Sequence, residues 1–130
     1  MTYKYTILAI PPSNNKFIGK TNWREYQSTK KQWALLIKGC CKPVPEAPLN
    51  KAKVTLHYFF PDYRNRDYDN YSGKMVLDGL VKARIIADDS FKHIVQLQLR
   101  AEVDKNRPRL EITVKEVEQG GLPCNEEKTT

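Results

Sequence analysis

Within Arg66-Asp67-Tyr68-Asp69-Asn70-Tyr71-Ser72-Gly73-Lys74, two carboxylates stand two residues apart and a lysine follows one helical turn later. Asp78 lies behind this segment, and a second acidic pair, Asp88-Asp89, comes further on. These acids gather in a chain whose 22 Lys and Arg outnumber its 15 Asp and Glu, for a formal net charge of +7. Carboxylates held close repel, so one of them stays protonated or a cation holds them together. Their oxygens are hard ligands suited to Mg²⁺, which takes one or two protein carboxylates and fills its remaining positions with water and substrate phosphate. An acidic metal cage on a basic chain reads as an enzyme that cuts nucleic acid, with the basic surface meeting the polyanion.

The elements that must hold these groups follow from periodicity. Tyr3 to Ile10 alternates as a strand and stops at Pro11-Pro12-Ser13-Asn14-Asn15, which favours a turn. From about Trp23 to Gly39 the apolar positions Tyr26, Trp33, Leu36, Ile37 and Cys40 recur at helical spacing. Pro43, Pro45 and Pro48 mark a loop, and the alternation of Ala52, Val54, Leu56, Tyr58 and Phe60 with Lys51, Lys53, Thr55, His57 and Phe59 is the clearest strand. Ser72 or Asp69 is expected to cap a helix from Lys74 to Ala83. Val95 to Val103 and Leu110 to Val114 alternate around the polar loop Asp104-Lys105-Asn106-Arg107-Pro108, which reads as a hairpin.

The order is therefore β-α-β-α-β-β, a single α+β domain with a mixed sheet and two main helices gathered on one side. The domain is expected over residues 1–117, with a flexible tail over 118–130. Asp67 and Asp69 precede the second helix, and Asp88 and Asp89 follow it. About ten helical residues rise about 15 Å, so the two pairs converge only if Arg84 to Ala87 folds back toward the helix start.

No apolar run approaches the roughly 18 residues of a membrane span. The start of the chain lacks a signal-peptide pattern, which predicts a cytoplasmic protein. Three cysteines, adjacent Cys40 and Cys41 plus Cys124, form no C-x-x-C pair and read as reduced bystanders. No membrane partner and no nucleotide cofactor are expected.

At these residues the chain resembles the RusA-type Holliday junction resolvases, small dimeric Mg²⁺-dependent endonucleases carried mostly by phages and prophages. Three blocks carry the likeness: Pro11 to Asn15, the acidic motif through Asp89, and Arg109-Leu110-Glu111-Ile112-Thr113-Val114. The resemblance implies a RusA-like fold and a crossover junction endodeoxyribonuclease acting in DNA recombination and repair in a bacterial host. It implies that Asp67, Asp69 and Asp89 bind Mg²⁺, with Mn²⁺ as a substitute, and that Lys74 is essential. Asp88 is an alternate ligand or a neighbour that supports Asp89. The family leaves two residues between Asn and Lys, whereas Tyr71, Ser72 and Gly73 make three here; a turn at Ser72-Gly73 would absorb the extra one.

Each residue also has a plainer reading. Asp69 alone could be a helix cap, although Asp67 two residues earlier is harder to explain that way. Lys74 could be a solvated helix lysine, and Asp78 its i,i+4 ion-pair partner. Tyr68, Tyr71 and Phe91 read as packing around the site rather than as base-stacking groups, and His57 and His93 as non-ligands. Asn14, Asn15, Lys16, Lys20, Arg24, Lys30, Lys31, Arg64 and Arg66 are candidate DNA contacts. The expected partners are four-way junction DNA and a second copy of the chain, since paired nicks need two sites and one chain holds one. The alternatives are a non-catalytic junction- or DNA-binding protein, or a flap or fork nuclease with the same cage.

Overall fold

Alternation along Ala52–Phe60 sends Ala52, Val54, Leu56, Tyr58 and Phe60 to one face, and all five are buried. In the computed structural model, which describes residues 1–17 and 23–118, this strand (β2) lies inside a four-stranded sheet. The others are β1 (Thr2–Ile7), β3 (Ile94–Val103) and β4 (Arg109–Glu116), in the spatial order β1-β4-β2-β3. β2 is parallel to β3 and antiparallel to β4, which is antiparallel to β1. With α1 (Trp23–Cys40) and α2 (Lys74–Lys82) the chain forms the expected single α+β domain in the order β-α-β-α-β-β. Lys20, Cys124 and the expected tail from residue 119 onward lie outside the described residues.

The expected hairpin between the last two strands does not form, because β2 lies between them. Alternation tells which way side chains point, not which strand is the neighbour. β2 is the most apolar strand and is best covered with a neighbour on each side. The β2-α2-β3 unit makes β3 its parallel neighbour, and β4 takes the opposite side. Five loop residues readily cross the roughly 10 Å between strands one place apart. The crossing is held by Asp104, whose N–H donates to the Phe60 carbonyl (2.8 Å) and whose carboxylate accepts from Arg109 Nη1 (2.8 Å).

Both helices cover the same face. Tyr5 and Ile7 of β1 and Leu110, Ile112 and Val114 of β4 join the buried side chains of β2 there. Trp33 and Ile37 of α1 and Met75, Val76, Leu77 and Leu80 of α2 complete the core. Gly79 lets the helices approach closely: a Cβ there would stand 2.5 Å from Ile37 Cδ1. The opposite sheet face is polar apart from Phe59, which is covered by the Arg109 guanidinium, 3.7 Å from its ring centroid, and by His57. No helix among the described residues is long and apolar enough to cross a membrane. Cys40 is exposed, whereas burial pushes the thiol of Cys41 up to about 12.

Neither Ser72 nor Asp69 caps α2. Its N-cap is Gly73, in the left-handed region at φ 86° with no side-chain cap bond. The helix start is pressed onto β2, where any Cβ at residue 73 would overlap Leu56 Cδ1. The other end of α2 closes with Arg84 N–H on the Val81 carbonyl (3.0 Å) and Ile85 N–H on that of Leu80 (3.0 Å). This left-handed helix ending usually carries glycine at the position of Arg84, whose φ is 65°. The chain then turns back, and Leu49 and Ile86 form a parallel bridge.

Opposite outcomes are expected at the two left-handed positions. Gly73→Ala should destabilise the fold by at least about 2 kcal/mol, combining the left-handed penalty with overpacking. Arg84→Gly should stabilise it by about 1 kcal/mol, because nothing is displaced and the strain is relieved. Guanidinium unfolding midpoints at constant slope measure both.

Candidate active site

After Phe60 the chain leaves the sheet at Pro61, and Asp62 organises the loop. Its carboxylate accepts from Arg64 N–H (3.1 Å), Arg64 Nη2 (2.9 Å) and Arg66 Nη2 (2.8 Å). Arg66 Nη1 also donates to the carbonyls of Asp62 and Arg64, both at 3.0 Å, and its guanidinium lies 4.1 Å from the Phe60 ring centroid. Hydrogen bonds from Arg64, then Arg66, hold the Asp62 carboxyl well below the usual carboxylate range. Sequence reasoning missed Asp62. The signal was present in Asp62, Arg64 and Arg66 at alternate positions, a spacing that lets one carboxylate collect two guanidinium groups.

The acidic motif then forms a 3-10 turn over Tyr68–Tyr71 with Asp67 at its N-cap. The turn is tied inward at three points, two of them backbone carbonyls. Asn14 Nδ2 donates to the Asp69 carbonyl (2.8 Å) and to Ser72 Oγ (3.1 Å), and the Tyr58 hydroxyl donates to the Tyr71 carbonyl (2.8 Å). Burial, and then the neighbouring Tyr71, push the Tyr58 hydroxyl well above its ordinary value, so it stays a proton donor. Tyr71 packs edge-on against Tyr58 and Phe60, with centroids 5.7 and 5.1 Å away. The side chains of Asp67 and Asp69 are left exposed, and Asp67 makes no cap bond.

Lys74 opens α2 and is exposed. The expected Lys74–Asp78 ion pair is absent; Asp78 meets Lys30 of α1 and Lys82 of α2, each at 3.5 Å. Helical side chains lean toward the helix N-terminus, so Lys82 leans back onto Asp78 while Lys74 leans off the helix start. Asp88 and Asp89 are exposed in the turn before β3, where the Ser90 carbonyl accepts from the N–H groups of His93 (3.0 Å) and Ile94 (2.9 Å).

Asp67 and Asp89 line two separate cavities that both meet β3. Asp67, with Arg66, Tyr68 and Tyr71, lines a cavity of about 250 Å³ that also includes Leu99 and Ala101 of β3. Asp89, with Leu77 and Phe91, lines one of about 140 Å³ that includes Val95 and Leu97. Leu97 and Leu99 are two residues apart on one strand, about 7 Å. The chain after α2 has thus folded back to Leu77, in the helix's first turn. The turns do not merge into a cage: among the described residues no three His, Cys, Asp or Glu side chains gather as a metal-binding group. Mg²⁺ needs only one or two protein carboxylates, and the Asp67–Asp69 turn offers such a pair.

Of the candidate DNA contacts, Lys16 pairs with Glu25 (3.3 Å), Lys30 with Asp78, and Arg64 and Arg66 with Asp62. Asn14 is spent on the acidic turn. Arg24 and Lys31 are exposed on α1, the side chain of Asn15 is not described, and Lys20 falls outside the described residues. A polar cavity of about 310 Å³ lies between Ser13 and the run Arg64-Asn65-Arg66-Asp67, with Asn70 and Tyr71. His57 bonds Glu102 (2.7 Å), and His93 Nδ1 lies 2.7 Å from the Asn50 carbonyl. Phe91 does not pack as expected: it is 98% exposed, and Tyr68 is 73% exposed.

Among the described carboxylates, Glu46 and Glu118 apart, those with neither an ion pair nor a hydrogen bond are Asp67, Asp69, Asp88 and Asp89. No protein-family model matches the chain, and no curated protein matches it.

The Asp62 clamp has a definite pH dependence. Its folded pKa lies below its unfolded one, so its stabilising effect is complete above the ordinary carboxylate range, about pH 4, and fades as pH falls through the folded value. Asp62→Asn should open the loop at neutral pH, exposing Arg64 and Arg66 to trypsin severalfold faster than in the parent, with unchanged global unfolding. Time-resolved proteolysis with mass spectrometry reads this directly.

Proposed function

We propose that the chain is a Mg²⁺-dependent, structure-specific endodeoxyribonuclease that nicks four-way DNA junctions and works as a homodimer. The observation that carries this reading is the set of unpartnered aspartates. Seven of the thirteen described acids are paired; Asp67, Asp69, Asp88 and Asp89 are not, and unlike the isolated Glu46 and Glu118, which also lack partners, they fall in two close pairs. Two of them face solvent from a turn whose backbone is bonded inward, beside a cleft bordered by Arg64 and Arg66. The motif's resemblance to the RusA-type resolvases supports the same assignment and supplies the junction as substrate.

On this reading Asp67 and Asp69 would hold the metal, and Asp89 would join them from the second cavity along β3, with Asp88 beside it. Bound Mg²⁺ would supply Lewis acidity at the scissile phosphate and a more acidic attacking water. Lys74 leans off the helix start with no ion pair among the described residues, and would neutralise charge building on the phosphate oxygens. The Tyr58 and Asn14 hydrogen bonds keep the carboxylates pointed outward.

Asp69→Asn should reduce nicking of a synthetic four-way junction by at least about 10²-fold. Gel-shift binding should be retained or tightened, because less negative charge meets the phosphates. Parent activity should require Mg²⁺ and vanish in EDTA. Full cleavage by the variant in Mg²⁺ would sink the proposal; faster cleavage of flaps or forks than of junctions would reassign the substrate and keep the chemistry.

A further inference from the structure

β3 is an outer strand that pairs only with β2, so one edge of ten residues presents unpaired backbone N–H and C=O groups. Such an edge is a template for another strand, and soluble proteins usually blunt it with proline, bulges or brevity. Here there is no proline, and the one irregularity is an extra residue, Val95, at the start. From Gln96 to Val103 the register is unbroken. Val95 and Leu97 are 42% and 38% exposed on this strand, and Phe91 is bare just before it. The opposite outer strand, β1, is only six residues long.

We infer that the β3 edge pairs with β3 of a second copy of this chain, antiparallel about a two-fold axis at Ala101. The homodimer itself belongs to the proposed function; the surface and its register follow from the sheet. A closed two-fold contact presents the same edge on both sides, and two-fold pairing of a strand with its own copy is antiparallel. The charges along the strand then choose among registers. Arg100 and Glu102 are its charged residues, and both point to the polar sheet face. An axis at Arg100 sets that guanidinium against its own copy, and an axis at Leu99 sets both charges against glutamines. An axis at Ala101 sets each Arg100 opposite Glu102 of the other copy, giving two opposite-charge pairs. Directly opposed unlike charges stabilise a strand pair and like charges destabilise it.

Glu102 is available for this, with its side chain 55% exposed although one oxygen meets His57. On the helix-bearing face the same axis sets Leu99 opposite Val103 and Ala101 opposite itself. The two four-stranded sheets become one continuous sheet. Asp67 borders Leu99 and Ala101, so the two acidic turns come to the same face, one on either side of the axis.

The test is made without DNA. In a background carrying Cys40→Ser and Cys124→Ser, Ala101→Cys should oxidise to a covalent dimer of two 15.1 kDa chains, because opposed antiparallel residues sit about 4.5–5.5 Å apart, within disulfide reach. Lys4→Cys on β1 should not. By sedimentation, Arg100→Glu and Glu102→Arg should each raise the dimer dissociation constant at least about tenfold, and the double variant should restore it. A dimeric parent whose Ala101→Cys form does not cross-link, or whose charge variants dimerise normally, overturns this surface and leaves the homodimer. A parent that is monomeric at micromolar concentration overturns both. Absence of nicking counts against the proposed function alone.

Discussion

The candidate site depends on how closely residue 73 approaches β2. Because that residue is glycine in a left-handed conformation, its backbone lies directly on Leu56, halfway along the central strand. A helix that starts there cannot be capped by the usual side chain, and the residues before it must climb back from the end of β2 in a short space. They do so as a 3-10 turn whose carbonyls face the protein and meet Tyr58 and Asn14. Inward carbonyls leave the aspartate side chains outward. The exposure of Asp67 and Asp69 is thus a consequence of packing at Gly73, and Lys74, the next residue, emerges from the same contact.

The elements were largely legible in the sequence because each has a clean period. α1 and α2 begin at the residues that spacing indicated, and β2 ends where alternation does. What escaped were features set by neighbours rather than by period. The hairpin expectation for β3 and β4 failed because alternation carries no information on strand order, and the decisive fact was the apolar demand of β2 on both sides. The cap expectation failed because Ser72 is a good cap chemically, but the close approach to Leu56 placed Gly73 there instead. Asp78 was correctly seen as a pairing residue, yet its partner was decided by the lean of helical side chains and by Lys30 from another helix, which no local spacing reveals.

At the site itself, the acidic residues were visible from their density in a basic chain, but their roles divide in a way only three dimensions can show. Asp62, which attracted no notice, gathers Arg64 and Arg66 and spends its charge on loop geometry. Two arginines that looked like phosphate contacts are therefore partly neutralised, with Arg66 held over Phe60 as well. Lys30 is likewise held by Asp78. Basic character available to a polyanion shifts away from these positions toward exposed ones such as Arg24 and Lys31 on α1 and Lys74 at the start of α2.

That partition makes the four unpartnered aspartates harder to dismiss as ordinary surface acids. Elsewhere in the chain the exposed Glu25 and the half-buried Asp104 each pair with a cation, whereas Glu46 and Glu118 stand singly and unpaired. Asp67 and Asp69 stand close to Arg66 and Lys74 in sequence and pair with neither, because Arg66 is bound to Asp62 and Lys74 leans off the helix. Arg66 is thus committed by a contact outside the acidic turn. On the proposed reading Asp67 and Asp69 would be the residues to hold a divalent ion, and their side chains are not used by the hydrogen bonds from Asn14 and Tyr58 that shape the turn.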